Sequence, residues 1–321
     1  MKIFGIVAAA LLLTALAPAA SATVSKPAAP KAPVTGWTTY DHDNSRNGFD
    51  PNAPAFVGGP FSTWNKAVDQ AVYAQPLAFN GVVFVATMGD SVYAFNATDG
   101  TQLWARVGLG SASTASYCAF NPGHIGIMGT PVIDAATGIL YAVGLDTTGS
   151  DAYKMYALHI SDGTNVTGFP VTLSVSPAGQ NQRAALSLAN GHVYVAFGGW
   201  LGDCPTYHPL VLSVPTGGVA EDHVYQPQTS CMDAAGIWGA SGPAVDGSGN
   251  IYVATGNGNG CYGSTSYPCT NTSWDHGNGV IKLSPTLAET SFWAPDNATQ
   301  SWCDLSRTDT DVGSVGSILL P

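Results

Sequence analysis

The chain has 321 residues and a formal net charge of −11 at neutral pH, a balance that disfavours nonspecific binding to phosphate backbones and leaves no nucleic-acid partner expected. Charged residues make up only 10% of it, against 45% hydrophobic residues, 38 glycines and 21 prolines. This excludes a coiled coil and a disordered acidic tail and suits a turn-rich β protein with a filled interior.

The chain opens with Met1-Lys2, an apolar run from Ile3 to Leu16 and Ala20-Ser21-Ala22. These are the charged, apolar and Ala-x-Ala parts of a secretory signal peptide, so residues 1–22 are read as a leader and the protein as secreted or periplasmic. The apolar run is too short for a membrane span, and no transmembrane segment is expected. No cysteine follows the cleavage point, which argues against a lipid anchor. Residues 23–35, rich in Ala, Pro and Lys, read as a flexible spacer, and the fold is expected over 36–321.

Within that span a unit recurs about every 55 residues. Its clearest copy runs Gln75-Pro76-Leu77, Gly81 to Thr87, Ser91 to Asn96, Asp99-Gly100 and Leu103-Trp104. Alternating β-branched and aromatic residues predict short strands, and Asn80-Gly81, Gly89-Asp90 and Asp99-Gly100 supply the positive φ of tight hairpins. The same grammar returns from Gly129, from Ala184 and from Ser241, and a fifth copy starts with an expected strand at Gly313–Leu320. A meander of this kind cannot cover both its faces alone, so the units are expected to stack as four-stranded antiparallel blades of an all-β propeller, with almost no helix.

The pattern of Pro76 to Trp104 resembles the pyrroloquinoline-quinone-like (PQQ-like) repeat family, whose units read small-Pro-Val, Gly-aliphatic-Tyr-Val, Leu-Tyr-Ala-Leu-Asp, Gly and Trp. The resemblance extends over residues 37 to 321. It implies a ring of seven or eight blades, of which about four and part of a fifth are present here. The chain is therefore read as an N-terminal fragment, with Trp37 to Arg46 expected in a strand that closes the ring against a last blade.

Six cysteines in an exported chain imply disulfides. Cys261 with Cys269 and Cys204 with Cys231 are the candidate pairs among 15 connectivities. No Cys-x-x-Cys occurs, which removes a zinc ribbon, a thioredoxin-like site and attached haem. Gly258-Asn259-Gly260-Cys261-Tyr262-Gly263 fits a dinucleotide pattern, yet no helix follows to receive a pyrophosphate. Asp246 to Asn250 spaces oxygen ligands like a calcium loop, and its coincidence with a hairpin gives it a turn role. No Gly-x-Ser-x-Gly elbow is present, and the histidines are scattered singly.

Two functions are weighed. The leading expectation is a noncatalytic scaffold that needs no cofactor and holds a protein or glycan on one propeller face, through the loop aromatics Trp200, Tyr207, Trp238, Tyr262, Tyr267 and Trp274. The alternative, implied by the resemblance, is a dehydrogenase of alcohols or sugars that uses pyrroloquinoline quinone and calcium. Thr255-Gly256-Asn257-Gly258 is similar to the segment whose asparagine ligates calcium in such enzymes, which makes Asn257 a cofactor and metal candidate. Asp309 or Asp311 stands where their catalytic aspartate is found, and Asp309 is a second metal candidate. Two features depart from the family. Trp200 in Gly199-Trp200-Leu201-Gly202 stands where a glutamate ligand is expected, with Asp203 the nearby substitute, and Cys118 lacks the adjacent cysteine of the family's disulfide. A third role, as a structural repeat protein of an envelope assembly, is weakened by the missing lipidated cysteine.

Overall fold

The computed structural model describes residues 36–53, 64–203, 206–227, 234–258, 274–297 and 300–320. Their strands form four antiparallel sheets, each a meander in chain order. The first holds β1 (Gly36–Trp37), β2 (Leu77–Phe79), β3 (Val82–Ala86), β4 (Val92–Asn96) and β5 (Gln102–Arg106). The second holds β6 (Val132–Asp134), β7 (Ile139–Asp146), β8 (Ala152–His159) and β9 (Val171–Thr172). In the third are β10 (Ser187–Ala189), β11 (His192–Phe197), β12 (Leu210–Pro215) and β13 (His223–Tyr225), and in the fourth β14 (Ala244–Val245), β15 (Ile251–Ala254), β16 (Val280–Leu283) and β17 (Glu289–Trp293).

The hairpins form where the sequence places positive φ. Asn80 and Gly81 take φ of 51° and 75° between β2 and β3, and Asn190 and Gly191 repeat this with 54° and 75° between β10 and β11. Two successive left-handed residues match the twist of the strands they join, which is why Asn-Gly recurs. Alternation then turns one face of each sheet toward the next. Apolar side chains of the first and second sheets share one core, those of the second and third another, and those of the third and fourth a third. Each boundary also carries an aromatic donor to a backbone carbonyl: Trp104 Nε1 to Ile160 O at 2.9 Å, Tyr141 Oη to Thr216 O at 3.3 Å and Tyr194 Oη to Pro285 O at 2.9 Å. The sheets are the blades of a β-propeller, and β10 lies beside both β6 and β14 at their inner edges.

The ring-closing strand expected over Trp37–Arg46 is not what these residues form. Gly36 and Trp37 pair with Phe79 and Ala78 on the inner edge of the first blade. Asp41, His42 and Arg46 then adopt φ of 51°, 75° and 60°, which ends any extended run. The segment crosses the inner edges of the blades instead, with Ile133 N donating to Thr38 O at 2.8 Å and Val245 N to Asn44 O at 2.8 Å. Arg46 is fully buried there. Its guanidinium donates to Leu186 O at 2.9 Å, Pro243 O at 3.2 Å, Thr39 Oγ1 at 2.6 Å and Tyr40 O at 2.9 Å, and also to Ser187 Oγ. Burial lowers its pKa to about 10, with Asp41 and Asp43 pulling the other way.

The opening strand of a fifth blade is likewise absent among the described residues. A short helix α1 (Trp302–Arg307), capped by reciprocal bonds between Ser301 and Asp304, is followed by a 3₁₀ turn at Val312–Ser314. A Cβ at Gly313 would meet Gly256 N at 2.6 Å, so the backbone here is pressed onto the fourth blade rather than extended beside it. No helix among the described residues is long and apolar enough to cross a membrane.

Between the first two blades lies a buried acid. Asp90, at φ 54°, has no exposed surface, and neither carboxyl oxygen has a hydrogen-bond partner among the described residues. Its carboxyl nests against Gly126 and Gly144, where a side chain would collide with it. Burial first, then the charges of Asp146 and Asp69, push its pKa up to about 8.

Two outcomes follow from these buried groups. Arg46→Met leaves several buried acceptors unpaired and is expected to cost about 3 kcal/mol or more, read in urea unfolding; unchanged stability would remove the pin from the fold. Asp90 titrates near its ordinary value of about 4 when unfolded, so the native state holds the extra proton between about pH 4 and pH 8 and stability falls as pH rises through that window. Asp90→Asn should flatten this slope in unfolding free energy measured against pH.

Candidate functional site

The loops that follow the second strands of the third and fourth blades, together with the segments leading into β10 and β14, enclose a cavity of about 420 Å³. Trp200, Asp203, Tyr207, Trp238, Asn257, Asp309 and Asp311 all line it, as do Asn181 and Arg183.

Asn257 lies three residues beyond the end of β15. Its backbone N–H donates to Asp311 Oδ1 at 2.5 Å and its Nδ2 to Asp309 Oδ1 at 2.8 Å. Its own Oδ1 accepts from Asn278 Nδ2 at 2.9 Å. Asn278 is fully buried, donates also to Ser306 Oγ of α1 at 3.0 Å and accepts from Val312 N at 2.9 Å. One asparagine thus ties Asn257 to α1 and to the segment carrying both aspartates. The sequence reading missed Asn278, because only the fold shows what a buried amide bridges.

The glycine before Asn257 is needed for close approach. A Cβ on Gly256 would lie 2.5 Å from Trp238 Nε1 and 2.6 Å from Asp311 Oδ1. Asp311 is half-buried, and its pKa is raised by burial and by the like charges of Asp309 and Asp203, against the pull of the Asn257 N–H. Asp309 is exposed at φ 54°. Asp203, at φ 53°, closes the turn after β11 by donating its N–H to Trp200 O at 3.0 Å, and its Oδ1 accepts from Tyr207 Oη at 2.7 Å. Asp203, three positions after Trp200, thus puts a carboxylate on the cavity wall.

The aromatic candidates divide. Trp200 is only 1% exposed: its indole stacks on Tyr117 at 4.6 Å between ring centroids and on Phe120 at 5.9 Å, and Nε1 donates to Pro177 O at 2.8 Å. Its ring is part of the cavity wall and the core rather than of a surface. Tyr207 is buried as well, while Trp238 is half-buried with the Arg183 guanidinium 5.3 Å from its ring centre. Trp274 lies away from the cavity, stacked between His276 and Phe292 at 4.7 and 4.3 Å. Tyr262 and Tyr267, the cysteines Cys204, Cys231, Cys261 and Cys269, the glycine-rich loop beyond Gly258 and the signal peptide lie outside the described residues.

Cys118 and Cys303 each take part in a disulfide. Cys118 thus does not stand as a lone thiol: its Sγ would be 2.9 Å from a Cβ on the cavity residue Gly202. The Asp246 carboxylate is occupied by its own hairpin, accepting from Ser248 N and Asn250 N, each at 2.9 Å. Among the described residues no group of three or more His, Cys, Asp or Glu side chains is gathered closely enough to hold a metal ion.

A family model described as outer membrane protein assembly factor BamB matches residues 62–119. No curated protein matches the chain. Among solved structures it is similar to a quinohemoprotein alcohol dehydrogenase from Pseudomonas putida, with 15% identity and a TM-score of 0.60 over 80% of this chain and 40% of that one. The quinohemoprotein alcohol dehydrogenase of Comamonas testosteroni aligns with 14% identity and a TM-score of 0.55 over 80% and 41% of the two chains. A europium-containing methanol dehydrogenase aligns with 10% identity and a TM-score of 0.53 over 83% and 49%. These likenesses show the fold, and this chain spans less than half the length of each of the three. The family model thus covers the first blade, and the likenesses together with the sheet topology show the β-propeller fold.

Gly256→Ala is the simplest perturbation of the site. The added methyl is expected to push Trp238 and Asp311 apart at a cost of about 1–3 kcal/mol and to shift indole fluorescence. An unaltered emission spectrum and unfolding midpoint would show that Gly256 does not set their spacing.

Proposed function

We infer that this chain of PQQ-like propeller repeats forms the cofactor and cation site of an exported oxidoreductase acting on alcohols or sugars. The observation that carries this reading is convergence. Asn257, Asp309 and Asp311, set more than fifty positions apart in sequence, meet across hydrogen bonds at one cavity whose wall also holds Trp238 and Asp203.

The residues present fit such a group. The cavity lies within the size range of small-molecule sites, and an indole on its wall offers an apolar face to a planar ring. Burial first, then the charges of Asp309 and Asp203, raise the proton affinity of Asp311 against the pull of the Asn257 N–H, so a cation beside them would be electrostatically favoured. The three acids do not themselves form a closed metal cluster, so Asn257, Asp309 and Asp203 would hold a calcium ion only with further oxygen ligands. When bound, pyrroloquinoline quinone supplies a two-electron acceptor carbonyl, and the cation polarises it.

The chain's own residues then divide the remaining work. Asp311 Oδ1 is fixed by the Asn257 N–H, which leaves Oδ2 to take a proton from a substrate hydroxyl. Its raised pKa suits a base that must accept and later release that proton. Trp200 and Phe120, stacked beneath the wall, limit water at the cavity floor.

The scaffold reading, with a protein or glycan held by loop aromatics, has less support, because Trp200 and Tyr207 are buried and Trp274 is stacked within its own blade.

Titration of pyrroloquinoline quinone with calcium into the full-length protein, followed by absorbance and heat, tests the reading. Binding is expected to weaken about tenfold or more in Asn257→Ala and Asp309→Ala, and no binding at micromolar quinone would sink it. The pH dependence has a fixed sign. A cation beside Asp309 and Asp203 is attracted more strongly once Asp311 has lost its proton and gained negative charge, so its affinity rises with pH until Asp311 is ionised and then levels off. Asp311→Asn is expected to flatten that rise in calorimetric titrations.

A further inference from the structure

Away from the cavity, buried polar groups gather a second time, at the boundary of the first two blades. Asp90, in the turn between β3 and β4, is set onto the face that the second blade turns toward the first. On that face Ala142, Gly144 and Asp146 of β7 pair with Tyr156, Lys154 and Ala152 of β8, so their side chains share one side of the sheet. Ala142 packs into the core common to both blades, which fixes that side as the one facing the first blade. Asp90 Oδ1 occupies the space that a Cβ on Gly144 would take, close enough to Asp146 and Lys154 for their charges to act on it.

Neither charge nor hydrogen bonding closes at this boundary. Asp146 accepts from Lys154 Nζ at 2.6 Å, Ser111 N at 3.0 Å and Thr148 N at 2.8 Å. Asp69, the other acid acting on Asp90, is exposed and accepts from Thr87 Oγ1 at 2.7 Å and Ser91 Oγ at 2.5 Å. Asp90 has neither a donor nor exposed surface. Tyr156 supplies an independent sign. It is 2% exposed and its Oη has no partner, although that oxygen and the Asp146 carboxyl both adjoin Gly110, where a Cβ would meet them. Two buried polar groups left unpaired at one boundary mark a place kept for a ligand, and a carboxylate with a hydroxyl oxygen beside it selects a cation.

We propose that Asp90 and Tyr156 bind a monovalent alkali cation that fastens the first blade to the second. The charge of the ion follows from what is left over: Lys154 balances Asp146 and water screens Asp69, so one carboxylate remains. Its oxygens come from both blades, Asp90 from the first and Tyr156 from the second. Met88 O adds a neutral donor, since a Cβ on Gly126 would lie 2.7 Å from that carbonyl and 2.7 Å from Asp90 Oδ1. All three are hard oxygen donors. Calcium takes more oxygens and more carboxylates than this, and among the described residues no three His, Cys, Asp or Glu side chains gather closely enough to hold a metal ion through them. An ion bridging two blades binds only the folded state and stabilises it by mass action.

Urea unfolding of the full chain at about pH 9, with sodium or potassium replacing choline at constant ionic strength, tests the site without a proton competing for Asp90. The unfolding constant of the wild type is expected to fall about tenfold for each tenfold rise in sodium or potassium above the dissociation constant, as for one ion held by the native state. Asp90→Asn is expected to abolish this dependence. Tyr156→Phe keeps the ring and loses the oxygen, and should shift the dependence to about tenfold higher cation. Asn257→Ala, at the cavity, should respond as the wild type does. Sodium and potassium acting no differently from choline on the wild type overturn the proposal, as does a full response in Asp90→Asn. Should Asp90→Asn fail to fold, an unshifted response in Tyr156→Phe overturns it instead. A response lost in Asn257→Ala and kept in Asp90→Asn puts the ion in the cavity and likewise ends it.

Discussion

A single buried cation organises the part of the molecule that matters. Arg46 carries its charge into the inner edges of the blades, where desolvation costs enough to lower its pKa to about 10. No carboxylate touches it; carbonyls and hydroxyls take its donors. Two of those carbonyls decide the geometry of the cavity. Leu186 O belongs to the stretch that has just presented Asn181 and Arg183, and Pro243 O to the stretch that has just presented Trp238. The guanidinium bridges the two, so its fixed planar fork sets the spacing of the walls. A lysine, with one movable point of charge, would satisfy fewer of these acceptors.

A second constraint acts at the other wall. Asn257 and Asp311 are placed by a chain of amides, hydroxyls and backbone groups running through Asn278 and Ser306 into α1. Such a network holds geometry well only when each member is satisfied, and Asn278 uses both its amide atoms. This explains why a six-residue helix, too short to persist alone, occurs in an otherwise β chain. Its end is sealed by the Ser301 and Asp304 capping box, and its buried face supplies Ser306 to the amide bridge.

The blades were legible in the sequence because a hairpin repeat is a local signal. Asn80-Gly81 and Asn190-Gly191 fix two turns by positive φ alone, and the alternation of Val82 to Ala86 and of His192 to Phe197 assigns faces without reference to distant residues. What the sequence hid is everything decided by long-range packing. Trp37 to Arg46 looked like a strand that pairs with a missing neighbour, yet the left-handed residues Asp41, His42 and Arg46 send it across the blades. The site candidates Asn257, Asp309 and Asp311 were reachable only through resemblance, and their meeting is a property of the fold. That Asp90 and Tyr156 lack partners carried no signal, because an unpaired polar group is visible only once its neighbours are known.

Trp200 and Asp203 divide apolar bulk and charge between the core and the cavity wall. An aromatic side chain at position 200 fills the space between Tyr117 and Phe120, which a carboxylate could not do without stranding itself in apolar surroundings. The chain then turns at Gly202 and Asp203, both left-handed, so that the acid appears three positions later on the cavity wall, with Tyr207 Oη as its donor. This arrangement places apolar bulk in the core and the negative charge at the cavity, which is where each is stable. The same division runs through the whole cavity. Acids gather on the side held by Asn257, and the exposed guanidinium of Arg183 lies over Trp238.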